Sequence, residues 1–125
     1  MQMVLDESLI SQVNHLKGAL TVIHSATATN ADRHSAQLIC NQMQEQPYAP
    51  IVGRFLAHKD QSLPDFMRHF GLGMIEYAIT SRWQFLVNNQ QDLDALKGIV
   101  VDMLQNVHLF SIREYLGRIG KFLTS

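Results

Sequence analysis

Apolar side chains recur along this chain at intervals of three and four, the spacing that lines one face of a helix. They never alternate with period two for long enough to predict a strand. Over 7–24, Leu9, Val13, Leu16, Leu20 and Ile23 make one stripe, with Asp6 placed to cap the first turn. The small polar run 25–30 (SATATN) breaks it, and Thr29 or Asn30 can cap the next helix, with Asp32 helping in its first turn. There Ala36, Ile39, Cys40 and Met43 form the expected buried stripe, leaving His34, Gln37, Asn41 and Gln44 on the solvated side. Pro47 and Pro50 bracket Tyr48 and mark the firmest boundary, after which Ile51, Val52, Phe55 and Leu56 predict a short helix over 50–59. Beyond the polar stretch NNQQD, Leu93, Leu96, Val100, Met103, Leu104 and Val107 predict a further helix. Ser111 and Glu114 fit a capping box for a last one carrying Ile112, Tyr115, Leu116, Ile119, Phe122 and Leu123.

The organising stretch is 64–83, PDFMRHFGLGMIEYAITSRW, with Ser62 as its expected N-cap. At helical spacing Phe66, Met67, Phe70, Met74, Tyr77 and Ala78 fall on one side, while Leu72, Ile75, Ile79 and Trp83 fall on the other. Two opposed apolar faces imply neighbours on both sides, as in the middle of a helical stack. Arg68 and Arg82 lie on one seam between these faces, and His69, Glu76 and Thr80 on the other. Gly71 and Gly73 sit mid-helix, where each costs about 1 kcal/mol relative to alanine. All seven glycines of the chain fall inside predicted helices, a pattern that points to close approach between helices.

About six short helices joined by brief turns pair as antiparallel hairpins, with approximate bounds 6–46, 50–86 and 92–125. Their spacing of about 40 residues lies within the range of HEAT and armadillo repeats. The expected fold is therefore all-α, a right-handed α-solenoid of about three hairpins. With 125 residues the chain is a single helical-repeat unit or a fragment of a longer array.

Charge narrows the functions. A formal charge of −1 and a pI near 6.6, without any lysine or arginine run, give little field for nucleic acid. The acidic start and the lack of a long apolar run predict neither a secretory signal nor a membrane span. The single cysteine, Cys40, excludes an internal disulfide and is expected as a small core residue. Six scattered histidines show no metal-ligand spacing, and the FGLG run at 70–73 lies mid-helix, where it makes no phosphate cradle. No cofactor, metal or catalytic residue is expected, and an enzyme is the least favoured class. Trp83 is expected at a hairpin junction, and Arg113, Arg118 and Lys121 on a solvated face.

Three stretches nevertheless resemble one family. RHFGLGMIEYAITSRW, from Arg68 to Trp83, resembles the second-repeat inner helix of nuclear transport receptors of the importin-β superfamily, most closely the exportin-5 group. Arg33, Ala36, Ile39, Cys40 and Met43 are similar to the first-repeat inner helix of that group, and SIREYLGRI, from Ser111 to Ile119, to its third repeat. The order agrees, and the three together span nearly the whole chain. The resemblance implies a HEAT-repeat solenoid whose N-terminal repeats receive the GTP-bound small GTPase Ran on their concave side. It also implies shuttling between nucleus and cytoplasm, with cargo (structured small RNA, tRNA or protein) held by later repeats, and it admits nucleoporins as partners. The chain lacks those later repeats and the Trp-Pro-rich turn that follows the third, so Ser125 is expected to be a fragment boundary. Carried onto this sequence, the Ran-binding candidates are Gln37, Asn41 and Gln44 on the first inner helix, and Arg68 and Glu76 on the second. The rival reading is a self-contained helical adaptor of the VHS or ENTH kind, binding peptides or lipid headgroups.

Overall fold

The computed structural model describes residues 6–81 and 88–106, with the side chains of Lys59, Asp92 and 104–106 left aside. The described residues form five α-helices: α1 (Glu7–Ile23), α2 (Asn30–Gln44), α3 (Ala49–Ala57), α4 (Asp65–Ser81) and α5 (Gln90–Asn106). A single 3₁₀ turn, Lys59–Gln61, separates α3 from α4, and no strand occurs among the described residues. The all-helical expectation therefore holds, and paired helices of this length are compatible with a hairpin-repeat or solenoid fold. Arg82, Trp83, Val107 and the helix expected beyond Ser111 lie outside the described residues, as do Arg113, Arg118 and Lys121. The chain divides into two compact units, Met1–Pro47 and Tyr48–Ser125.

In the first unit the caps decide where the helices start. The Asp6 carboxylate accepts the Leu9 N–H at 2.8 Å and satisfies one of the donors that a helix start leaves without a partner. Thr29, not Asn30, caps α2: its hydroxyl accepts the Asp32 N–H at 3.1 Å, while Asn30 is already the first helical residue. The connection between them is held by Arg33, whose Nη2 donates to the Ser25 carbonyl at 2.6 Å. With the turn so fixed, α2 packs on α1. Val13, Leu16, Ala19 and Leu20 of α1 and Ala36, Cys40 and Met43 of α2 are buried. Fully burying a side chain of the Leu or Met class is worth about 1.5–3 kcal/mol, so this stripe outweighs the weak intrinsic helix preference of the polar α2 sequence. Ile39, expected on the buried stripe, is only half-buried.

In the second unit, Pro50 stands in the first turn of α3, where its missing N–H costs nothing, and the Tyr48 carbonyl accepts from Ile51 and Val52. The start of α4 differs from expectation. Ser62 is not its N-cap: the Pro64 carbonyl accepts the first bonds, from Met67 and Arg68, and Ser62 lies in the preceding turn with φ 51°. Ser62 therefore lies two residues ahead of the Pro64 carbonyl that opens α4, in a left-handed conformation that side-chain-bearing residues seldom adopt.

On α4 the buried residues are Met67, Gly71, Leu72, Met74, Ile75, Ala78 and Ile79. At 100° per residue they span one arc of roughly 160°, bordered by half-buried Phe66, Phe70 and Tyr77. The two opposed faces expected from the sequence are thus one broad face with two neighbours. One neighbour is α3, which meets α4 where Gly53 faces Gly71. A Cβ built on either glycine would lie 2.5 Å from the other's carbonyl oxygen, so only glycine lets the two backbones approach this closely. The other is α5: Leu72, Ile75 and Ile79 join Ala57, Leu96, Ile99, Val100 and Met103 in one apolar cluster, with Leu93 against it. The expectation that every glycine marks such an approach fails at Gly18 and Gly98. A Cβ on either would meet nothing within 4 Å, because both face outward.

Candidate protein-interaction surface

The candidate residues divide into two groups, three on α2 in the first unit and two on α4 in the second. Gln37 and Asn41 are exposed, one turn apart, and Gln37 Nε2 donates to Asn41 Oδ1 at 3.0 Å. That bond orients both amides while leaving further donors and acceptors on each for a partner. Gln44, expected among the solvated residues, is half-buried, because its position borders the stripe formed by Cys40 and Met43. On α4, Arg68 reaches back into its own hairpin, where its Nε donates to the Ala57 carbonyl at 3.2 Å. A cation at the carbonyl end of α3 also offsets the negative end of that helix's dipole. Arg68 Nη2 is buried without a hydrogen-bond partner. Glu76, half-buried, lies eight residues further on, about 12 Å along the helix axis, so the two do not form one cluster.

The residue missed by sequence reasoning is Leu38. It is 49% exposed. Helical spacing places it near the centre of the face opposite Ala36, Cys40 and Met43, with His34, Ser35, Asn41 and Gln42 as its i±3 and i±4 neighbours, all exposed. No lysine, arginine, aspartate or glutamate occurs between Arg33 and Glu45. The signal was present in the sequence as a leucine out of phase with the buried stripe.

Groups capable of other chemistry are dispersed or enclosed. Cys40 is fully buried, and burial pushes its thiol above the ordinary range, a tendency partly offset by a backbone hydrogen bond, so it is held in the unreactive protonated form. His58 is buried at the end of α3, and its Nδ1 lies 3.2 Å from the Asp60 backbone nitrogen. Among the described residues no three metal-ligating side chains gather, and no helix is long and apolar enough to cross a membrane.

No protein-family model matches the chain. Among characterised proteins, the chain is similar to exportin-5 of Dictyostelium discoideum. The two are 22% identical over 103 residues, which cover 82% of this chain. Those residues make up only 9% of the exportin-5 sequence, so the likeness is to one segment of that protein. A likeness to an exportin segment is also the expectation drawn from Arg33–Met43, Arg68–Trp83 and Ser111–Ile119. At 103 residues, the similarity to exportin-5 is longer than those three stretches combined.

Proposed function

We propose that this chain is a segment of a nuclear transport receptor of the exportin kind, and that it contributes to the surface receiving GTP-bound Ran. The observation that carries the reading is the similarity to exportin-5 over 82% of a chain whose described residues are all helices and turns. In this reading the segment binds and does not catalyse. The polar face of α2 supplies hydrogen bonds through the amides of Gln37 and Asn41, with Gln44 at its border, and α4 supplies Glu76. Arg68 acts mainly by fixing the α3–α4 hairpin on which Glu76 is carried. Nucleotide dependence resides in the partner, because a GTPase orders its switch loops only around the γ-phosphate. Cargo is held by repeats beyond this segment, and the receptor shuttles between nucleus and cytoplasm. Binding of Ran and cargo is then reciprocal, as any coupling between two sites must be.

The test is a titration of the ¹⁵N-labelled 125-residue chain with Ran carrying either a non-hydrolysable GTP analogue or GDP. Shifts of the Gln37 and Asn41 side-chain amides with the GTP form alone are expected. If neither form moved any resonance at about 0.5 mM, where affinities near the millimolar range still register, the reading would be abandoned.

A further inference from the structure

We infer that Arg54 and Asp102 form a strap poised to close: α5 has a second seat, about 1 Å nearer α3 than the one described above, in which Arg54 Nε donates to Asp102 Oδ2. The pair links the last turn of α3 to the C-terminal half of α5. In the seat described above the two atoms stand 3.8 Å apart, close enough to attract but about 1 Å beyond a charge-assisted hydrogen bond. Arg54 Nε is shut off from solvent and has no hydrogen-bond partner. A guanidinium N–H that reaches neither water nor an acceptor is unfavourable, and a carboxylate able to relieve it is already in place. Aspartate is short, and Nε lies at the inner end of the guanidinium. The distance is therefore set by where the two helices stand more than by side-chain rotation.

The other contacts of α5 allow it two seats. Leu96, Ile99, Val100 and Met103 pack with Ala57, Leu72, Ile75 and Ile79. Apolar contact is non-directional, so a displacement of this size changes which atoms touch and breaks no directional bond. Met103, next to Asp102, is unbranched and re-packs readily. The pull toward closure is correspondingly modest: the side chains of Arg54 and Asp102 are 29% and 30% exposed, so salt partly screens their attraction. Weak attraction set against weak resistance leaves two seats of similar free energy. A charge brought up from outside, an anion against Arg54 or a cation against Asp102, then decides between them. The inference goes beyond the reading of the chain as a transport-receptor segment and does not depend on it.

The test follows Arg54 Nε–Hε and the backbone amides of α5 by nuclear magnetic resonance, in the ¹⁵N-labelled 125-residue chain at 50 and 500 mM salt. Exchange between seats registers as two peaks, as relaxation dispersion, or as one averaged peak that moves with population. Salt is expected to lower the closed population about twofold, and to move Hε and the amides of Leu96, Ile99, Val100 and Met103 together. Asp102→Asn and Arg54→Met are each expected to abolish the response of those amides. Asp94→Asn removes the same charge from an exposed position on the same helix, where Asp94 accepts from Gln90, and is expected to keep the response. Circular dichroism verifies the helices, and the two strap variants act from opposite helices, so either alone carries the comparison. Wild-type α5 amides that show neither exchange nor a salt response mean a single seat and overturn the inference. A response that survives in Asp102→Asn or Arg54→Met, or is lost equally in Asp94→Asn, is a general ionic effect and also overturns it. Movement of Hε alone, with the α5 amides still, means side chains closing between fixed helices and refutes the strap.

Discussion

Replacing Gly71 by alanine sets two effects of opposite sign against each other, and the structure decides between them. In an open helix the change stabilises by up to about 1 kcal/mol, because glycine is the poorer helix former. At position 71 the new Cβ would stand 2.5 Å from the Gly53 carbonyl oxygen, 2.9 Å from Leu56 Cβ and 3.1 Å from the Ala57 backbone nitrogen. Two of those three atoms are backbone, so no rotamer change relieves the clash. Restoring ordinary contact requires α3 and α4 to separate by nearly 1 Å, a gap that forfeits a quarter to a half of the dispersion energy across the contact. Overpacking of this kind costs about 1–3 kcal/mol and more where backbone must move. A net loss of about 2 kcal/mol is therefore expected for Gly71→Ala, and a similar loss for Gly53→Ala. Gly98→Ala is the internal standard, since its Cβ meets nothing within 4 Å, and it is expected to gain up to about 1 kcal/mol. Urea unfolding followed by helical circular dichroism reads both. Gly71→Ala as stable as wild type would refute the close approach of α3 and α4.

Two further outcomes are expected from the same hairpins. Arg68→Ala removes the donor to the Ala57 carbonyl and the packing of its stem, and should cost about 1–2 kcal/mol in the same urea titration. For Cys40, whose folded pKa is raised by burial, the unfolded chain loses its thiol proton first as pH rises. Its contribution to stability is therefore complete below the ordinary thiol range and is lost progressively above about pH 8.5, until the folded thiol also ionises. A Cys40→Ala variant should show a flatter decline in stability over that alkaline window, and labelling of the native thiol by iodoacetamide should follow unfolding, not simple exposure.

Helix positions were legible wherever a cap and a stripe agreed. Asp6 announces α1 and Thr29 α2, and the buried residues of both follow the three-four spacing. The start of α4 differs from expectation because a serine followed by Leu63, Pro64 and Asp65 is a good cap by composition, whereas the backbone at Ser62 adopts a left-handed turn that composition does not specify. The shape of the buried face on α4 was hidden for a different reason. A stripe of side chains cannot show that a neighbour touches backbone, and α3 meets α4 at glycines, which have no side chain to pattern. For the same reason Gly53 and Gly71 are indistinguishable by sequence from Gly18 and Gly98. At the candidate surface, hydrophobicity patterning sorted Gln37 and Asn41 outward but had no rule for Leu38, since an apolar residue out of phase reads as noise until its exposure is known.

The glycine pair also bears on where a chain of hairpins can flex. Side chains between helices act as a compliant layer that shifts through rotamers and slides by fractions of an ångström. At the crossing of α3 and α4 that layer is missing, and peptide faces peptide. Neither glycine can shrink to accommodate a change at the other. This joint is therefore stiff, and any bending load on the second unit must be taken up where α5 packs through Leu96, Ile99, Val100 and Met103, whose flexible side chains can yield.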